Sequence, residues 1–128
     1  MSTILGKRRN APEFQMQCAL FNWAELLENV YPVLRLLRGS LNGVPLSKAV
    51  AGKAKAAGMK KGEHDVTFPA PRCGYTGLSI ELKYGRNKPT QDQLDYGNAL
   101  IAEGWYVAYC WEWTDAADLI KRYLEGKL

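Results

Sequence analysis

Between Asn29 and Gly62 the chain has no acidic residue, yet the same stretch holds seven basic ones: Arg35, Arg38, Lys48, Lys53, Lys55, Lys60 and Lys61. Cysteine is scarce. Cys18, Cys73 and Cys110 are odd in number, and no two lie at zinc-site spacing. That argues against a secreted disulfide scaffold and fits a reducing, intracellular and cytoplasmic setting. No apolar run reaches the roughly 18 residues that a membrane span needs. Met1 to Gln17 has no apolar h-region either, so neither a signal peptide nor a membrane segment is expected. Repeats and low-complexity runs are missing, and 47% hydrophobic with 23% charged residues excludes disorder and collagen. A chain of 128 residues is expected to form a single domain over 1–128 that needs no staples. Met1 to Asn10, with Lys7, Arg8 and Arg9, reads as a basic N-terminal arm.

What is present is a segregation of charge. Ten of the thirteen acids fall in Glu63 to Leu128, downstream of the basic stretch. A polyanion held near an acidic site would explain it; a solvated basic helix is the plainer alternative. Periodicity predicts a helix from Pro12 to about Asn29, with two apolar stripes: Met16, Leu20, Trp23 and Leu27, then Phe14, Cys18 and Phe21. A strand is expected at Val33 to Leu37, a loop through Gly39, Asn42, Gly43 and Pro45, and a helix over Lys48 to Ala57 capped by Ser47. Asp65 to Pro69 and Leu78 to Tyr84 read as a hairpin. A helix from Thr90 to Gly104, a strand from Trp105 to Trp113 and a helix from Asp115 to Leu124 complete an α/β order.

The second hairpin strand alternates. Leu78, Ile80, Leu82 and Tyr84 point one way, and Ser79, Glu81 and Lys83 the other. Pairing about a centre near Cys73 sets Asp65 opposite Glu81, and a one-residue slip would break the apolar pattern. Asp65, Glu81 and Lys83 should therefore cluster on one polar face. Two carboxylates suit a hard divalent cation, which acidifies a bound water and offsets phosphate charge. A lysine beside them stabilises the developing anion. These parts describe phosphodiester hydrolysis, although a Glu-x-Lys triplet alone is commonplace. Glu13 lies on the core-facing line of the first helix, either as a functional acid or as a first-turn residue. Gln93 is explained by a Thr90-x-x-Gln93 capping box, yet its head could reach the site. His64 is a possible base, but strict alternation points it to the opposite face. Lys48, Lys53, Lys55, Lys60, Lys61, Arg86 and Lys88 are candidates for phosphate contacts, which position DNA without reading its sequence.

The ordered set of Gly58 to Asp65, Gly77 to Lys83, and Gln93 with Gly104-Trp-Tyr-Val resembles the virus-type replication-repair nuclease (VRR-NUC) domain. That family belongs to the PD-(D/E)XK superfamily, and the likeness runs from about Pro12 to Leu124. It implies a restriction-endonuclease-like core, a mixed β-sheet flanked by helices. It also implies Asp65, Glu81 and the Leu82 backbone carbonyl as metal ligands, with Glu13 a possible further one. Lys83 would be the catalytic lysine, and Gln93 the glutamine after the core motif. The implied cofactor is Mg2+, with Mn2+ able to substitute. His64 stands where the superfamily pattern has proline. Stand-alone relatives imply a homodimeric endonuclease acting on branched DNA such as Holliday junctions, in DNA repair. The alternative is a non-catalytic DNA-binding module with an inert acidic cluster; an RNA-cutting enzyme is a further option.

Overall fold

The structure, a computed structural model, describes residues 2–41 and 44–128, with side chains from 12 onward. Asn42 and Gly43 of the expected loop, and the side chains of Lys7, Arg8 and Arg9 in the expected arm, lie outside the described residues. Among the described residues no helix is long and apolar enough to cross a membrane.

Four strands form one mixed sheet between helices. In chain order the elements are α1 (Ser2–Leu27), a 3-10 turn (Pro32–Leu36), β1 (Arg38–Gly39), α2 (Lys48–Ala56), β2 (Val66–Phe68), β3 (Leu78–Leu82), α3 (Gln91–Ala102), β4 (Tyr106–Cys110) and α4 (Trp113–Leu124). The sheet order is β1-β2-β3-β4. The first two pairings are antiparallel and the last is parallel. Parallel neighbours need a crossover, and α3 supplies it.

The core lies on one face of this sheet. Val66, Phe68, Leu78, Ile80 and Leu82 pack with Leu20 and Ala24 of α1 and with Ala116, Leu119, Ile120 and Tyr123 of α4. Each fully buried large apolar side chain there contributes about 1.5–3 kcal/mol. Helix α3 covers the opposite face, where Tyr96 packs edge-on to His64. Gly97 allows that approach. A Cβ there would sit 2.5 Å from the Tyr109 hydroxyl and 3.2 Å from His64.

Several expected boundaries shift, each for a local reason. In place of the strand expected at Val33 to Leu37, the chain forms the 3-10 turn Pro32–Leu36, with Leu37 extended after it. Pro32 presets φ for its first position, and Leu34 N–H bonds to the Tyr31 carbonyl at 2.9 Å. Helix α1 reaches back to Ser2, which leaves Pro12 inside it rather than at its start. Strand β4 stops at Cys110, not Trp113. Trp105 is taken by the end of α3, where its N–H reaches the Leu100 carbonyl and Gly104 N–H reaches Ile101. With Gly104 at φ +87 this is a Schellman cap. Trp113 already belongs to α4.

Candidate active site

The hairpin register brings the acidic residues together. Val66 pairs with Ile80 and Thr67 with Ser79, which carries Asp65 opposite Glu81 as the alternation predicts. The carboxylates interlock with the backbone. Glu81 Oε1 accepts the Asp65 N–H at 3.1 Å, and Asp65 Oδ2 accepts the Leu82 N–H at 2.8 Å. Lys83 Nζ lies 3.4 Å from Glu81 Oε2. All three side chains are buried, with Asp65 at 9%, Glu81 at 3% and Lys83 at 5% exposure. The expected polar face is therefore not an open one.

Burial sets the electrostatics. Desolvation pushes the Asp65 carboxyl up to about 6, against the backbone bond from Leu82 that favours its charge. Desolvation and the Asp65 charge push Glu81 up to about 8, and Lys83 offsets only part of this. One ammonium does not neutralise two buried carboxylates, so the pair holds its protons to higher pH than ordinary carboxylates do. Asp65 and Glu81 each tie one oxygen to the backbone and keep one free of it. All-oxygen donors with surplus negative charge fit a hard divalent cation such as Mg2+. Among the described residues no three His, Cys, Asp or Glu side chains converge into a metal-holding group, so this pair stands without a third side-chain donor.

Glu13 is not a first-turn residue, since α1 begins at Ser2. Its charge lies close enough to raise the Asp65 pKa. Its Oε2 accepts the Tyr84 N–H at 3.2 Å and the Asn87 side-chain amide at 3.0 Å, bracing the loop after β3. Trp111 holds the same loop by donating its indole N–H to the Asn87 carbonyl at 2.9 Å. The Gln93 side chain closes the Thr90 capping box, with Oε1 accepting the Thr90 N–H at 2.9 Å.

His64 departs from the expected side. Asp65 is a bend that precedes β2, so alternation does not extend through it. His64 turns onto the Ser79 face and is fully buried. Its Nε2 is 2.9 Å from the Gln93 carbonyl, which can only accept, so Nε2 carries the proton. Nδ1 then accepts from the Ser79 hydroxyl at 2.7 Å. Desolvation lowers its pKa, which keeps the ring neutral. His64 thus pins the hairpin to α3, and a bulky polar residue in place of proline is accommodated because both its nitrogens are satisfied. Ser79, Asn87, Trp111 and Tyr109, whose hydroxyl also reaches the Gln93 carbonyl, escaped the sequence reading. Ser79 left a signal there, as the third polar residue of the alternating strand, and Tyr109 and Trp111 left one as residues on one side of the expected Trp105 to Trp113 strand.

Lys48, Lys53, Lys55, Lys60, Lys61, Arg86 and Lys88 are all exposed. Helix α2 buries none of its residues, and Ser47 caps it by accepting the Val50 N–H. Lys61 pairs with Asp92 at the start of α3, at 3.3 Å.

A solved structure described as "VRR_NUC domain protein" superposes on this chain with a TM-score of 0.71. The match covers 89% of this chain and 88% of that one, at 24% identity. No protein-family model matches the chain, and no curated protein does. The fold is thus the α/β, restriction-endonuclease-like core of that VRR_NUC structure, a mixed four-stranded sheet between helices.

Proposed function

We propose that this chain is a metal-dependent DNA endonuclease, an intracellular, cytoplasmic enzyme that hydrolyses phosphodiester bonds in branched DNA. The observation that carries the reading is the buried Asp65, Glu81 and Lys83 cluster on a VRR_NUC-like fold. Asp65, Glu81 and the Leu82 carbonyl would hold Mg2+, or Mn2+ in its place. When bound, such a cation acidifies water and neutralises phosphate charge. Lys83, anchored beside Glu81, places an ammonium where negative charge develops on the phosphate oxygens. Asp65 and Glu81 keep their geometry through backbone bonds, so little reorganisation accompanies the reaction. Glu13 acts on Asp65 by charge and on the following loop by hydrogen bonds. The exposed lysines of α2, with Lys60, Lys61, Arg86 and Lys88, would contact phosphates along the substrate.

A homodimer suits this reading, because branched DNA with two-fold symmetry presents two strands to cut. Phe14 and Cys18 remain exposed on α1. With Phe21, which leans on the core, they line an open groove of about 270 Å³ beside Gly39 and Leu41. A second copy seated there would bury it.

The test is cleavage of labelled duplex, flap, fork and four-way junction DNA, with Mg2+ and with chelator. Mg2+-dependent cutting of the branched forms, abolished in Asp65→Ala, is the expected result. DNA binding without cleavage in any divalent metal would instead identify a non-catalytic binding module.

A further inference from the structure

We propose that Trp111 is a stacking platform for an unpaired base beside the reacting phosphate, so that the substrate carries a single-stranded nucleotide at the cut. The inference rests on the nuclease reading of the neighbouring cluster. Trp111 follows Cys110, the last residue of β4, whose Cα pairs with Leu82 and whose carbonyl accepts the Lys83 N–H at 2.8 Å. The backbone of Trp111 therefore leaves β4 beside Lys83. Trp111 is 39% exposed, while Trp23, Trp105 and Trp113 are more covered. One edge of the Trp111 indole is fixed. Its N–H is tied to Asn87, and Asn87 is tied to Glu13.

The surroundings select the ligand. The loop from Tyr84 to Thr90 has no acid, and its Arg86 and Lys88 make no ion pair among the described residues. Tyr84, in the same loop, is 51% exposed. Aromatic rings interleaved with cations are the recognition surface for single strands, where bases stack and phosphates are neutralised. In a continuous duplex the base faces are already stacked on one another, so this surface favours DNA with an unpaired nucleotide.

The test uses the full chain in EDTA, with oligo(dT) and a duplex of equal length as probes. Oligo(dT) should quench the tryptophan fluorescence of the parent protein. Trp111→Leu should lose that quench and about tenfold in oligo(dT) affinity, with duplex affinity changed less than about twofold. Trp111→Phe should restore most of the binding, and Tyr84→Leu, which alters an exposed side chain, checks the loop independently. Unchanged oligo(dT) affinity in folded Trp111→Leu overturns the platform. So does an equal loss on both probes, which would mean that the loop had merely collapsed. The two readings fail separately. A parent that cuts branched DNA while Trp111→Leu binds oligo(dT) normally sinks only the platform. A parent that quenches with oligo(dT) but never cuts sinks only the nuclease.

Discussion

Asp65 and Glu81 hold each other's strands: Glu81 Oε1 takes the Asp65 N–H, and Asp65 Oδ2 takes the N–H of Leu82, next to Glu81. The pair is thus a structural clasp made of two groups that repel. Its geometry depends on oxygen acceptors and its strain on charge, so the two can be separated. Asp65→Asn keeps an acceptor for the Leu82 N–H, removes one buried carboxylate and leaves Lys83 its Glu81 partner. At pH 8 the metal-free variant should melt a few degrees above the parent, an effect on the order of 1 kcal/mol. Cleavage should fall by about a hundredfold or more. Thermal melts and a nicking assay check both. A variant less stable than the parent would mean that the charge is not strained.

The pH dependence follows from the same pair. Asp65 and Glu81 are raised from 3.8 and 4.5 to about 6 and about 8. In between, the folded chain keeps protons that the unfolded chain has released, so stability falls as pH rises. His64 is lowered from 6.5 and works in the opposite sense below that pH, where unfolding takes up a proton. The clean window is therefore above pH 6.5. The metal-free protein should be more stable at pH 6.5 than at pH 8, and Mg2+ should raise stability most at pH 8. Urea midpoints at the two pH values, with and without Mg2+, measure this. A flat profile in EDTA would show that the carboxylates ionise normally.

His64 and Gly97 form the second joint, between the hairpin and α3. His64→Ala takes one of two side-chain donors from the Gln93 carbonyl, strands the buried Ser79 hydroxyl and opens a cavity, and should cost about 2–4 kcal/mol. Gly97→Ala pushes a methyl group towards the Tyr109 hydroxyl, 2.5 Å away, and should cost about 1–3 kcal/mol. Adding Tyr109→Phe should recover part of the Gly97→Ala loss, although it gives up the bond to the Gln93 carbonyl. Chemical denaturation of the single and double variants reads this coupling, and strictly additive costs would place the contact elsewhere.

The hairpin was legible in the sequence because alternation and register are one constraint. Leu78, Ile80 and Leu82 must face the core, and this puts Glu81 opposite Asp65. Depth was not legible. Alternation marks a polar face but not whether a helix covers it, and α3 comes from later in the chain. His64 was misplaced because a single bend at Asp65 resets the alternation. The short apolar run Val33 to Leu37 carries no period of its own, so strand and 3-10 turn read alike. Glu13 meets Tyr84 and Asn87 across more than seventy positions, a contact that no local pattern encodes.

Phe14 tests the proposed dimer better than Phe21. Phe14 is 43% exposed, whereas Phe21 packs against the core, so a charge at Phe21 would disturb folding as well as association. Phe14→Glu should yield a folded monomer that retains Mg2+ binding at Asp65 and Glu81. Sedimentation velocity at micromolar concentration distinguishes the states. A variant as dimeric as the parent would move the interface off this groove.

The basic segment makes a graded prediction, because its lysines are not equivalent. Lys61 is engaged by Asp92, an exposed pair worth about 0.2–1 kcal/mol, so its charge is already partly matched. Lys48, Lys53 and Lys55 belong to α2, which buries nothing and has no acid in its first turn. Alanine is the better helix former, so replacing these lysines should leave α2 intact. Each lysine that contacts a phosphate adds about 0.9 to the slope of log affinity against log salt. The triple replacement Lys48→Ala, Lys53→Ala and Lys55→Ala should therefore flatten the slope by about 2 to 3, while Lys61→Ala should move it by less than one. Metal binding should not change, since none of these residues touches Asp65 or Glu81. Anisotropy titrations across a range of salt concentrations give the slopes. If the triple variant kept the parent's slope, α2 would face away from DNA, and the segregation of charge would reduce to a solvated helix.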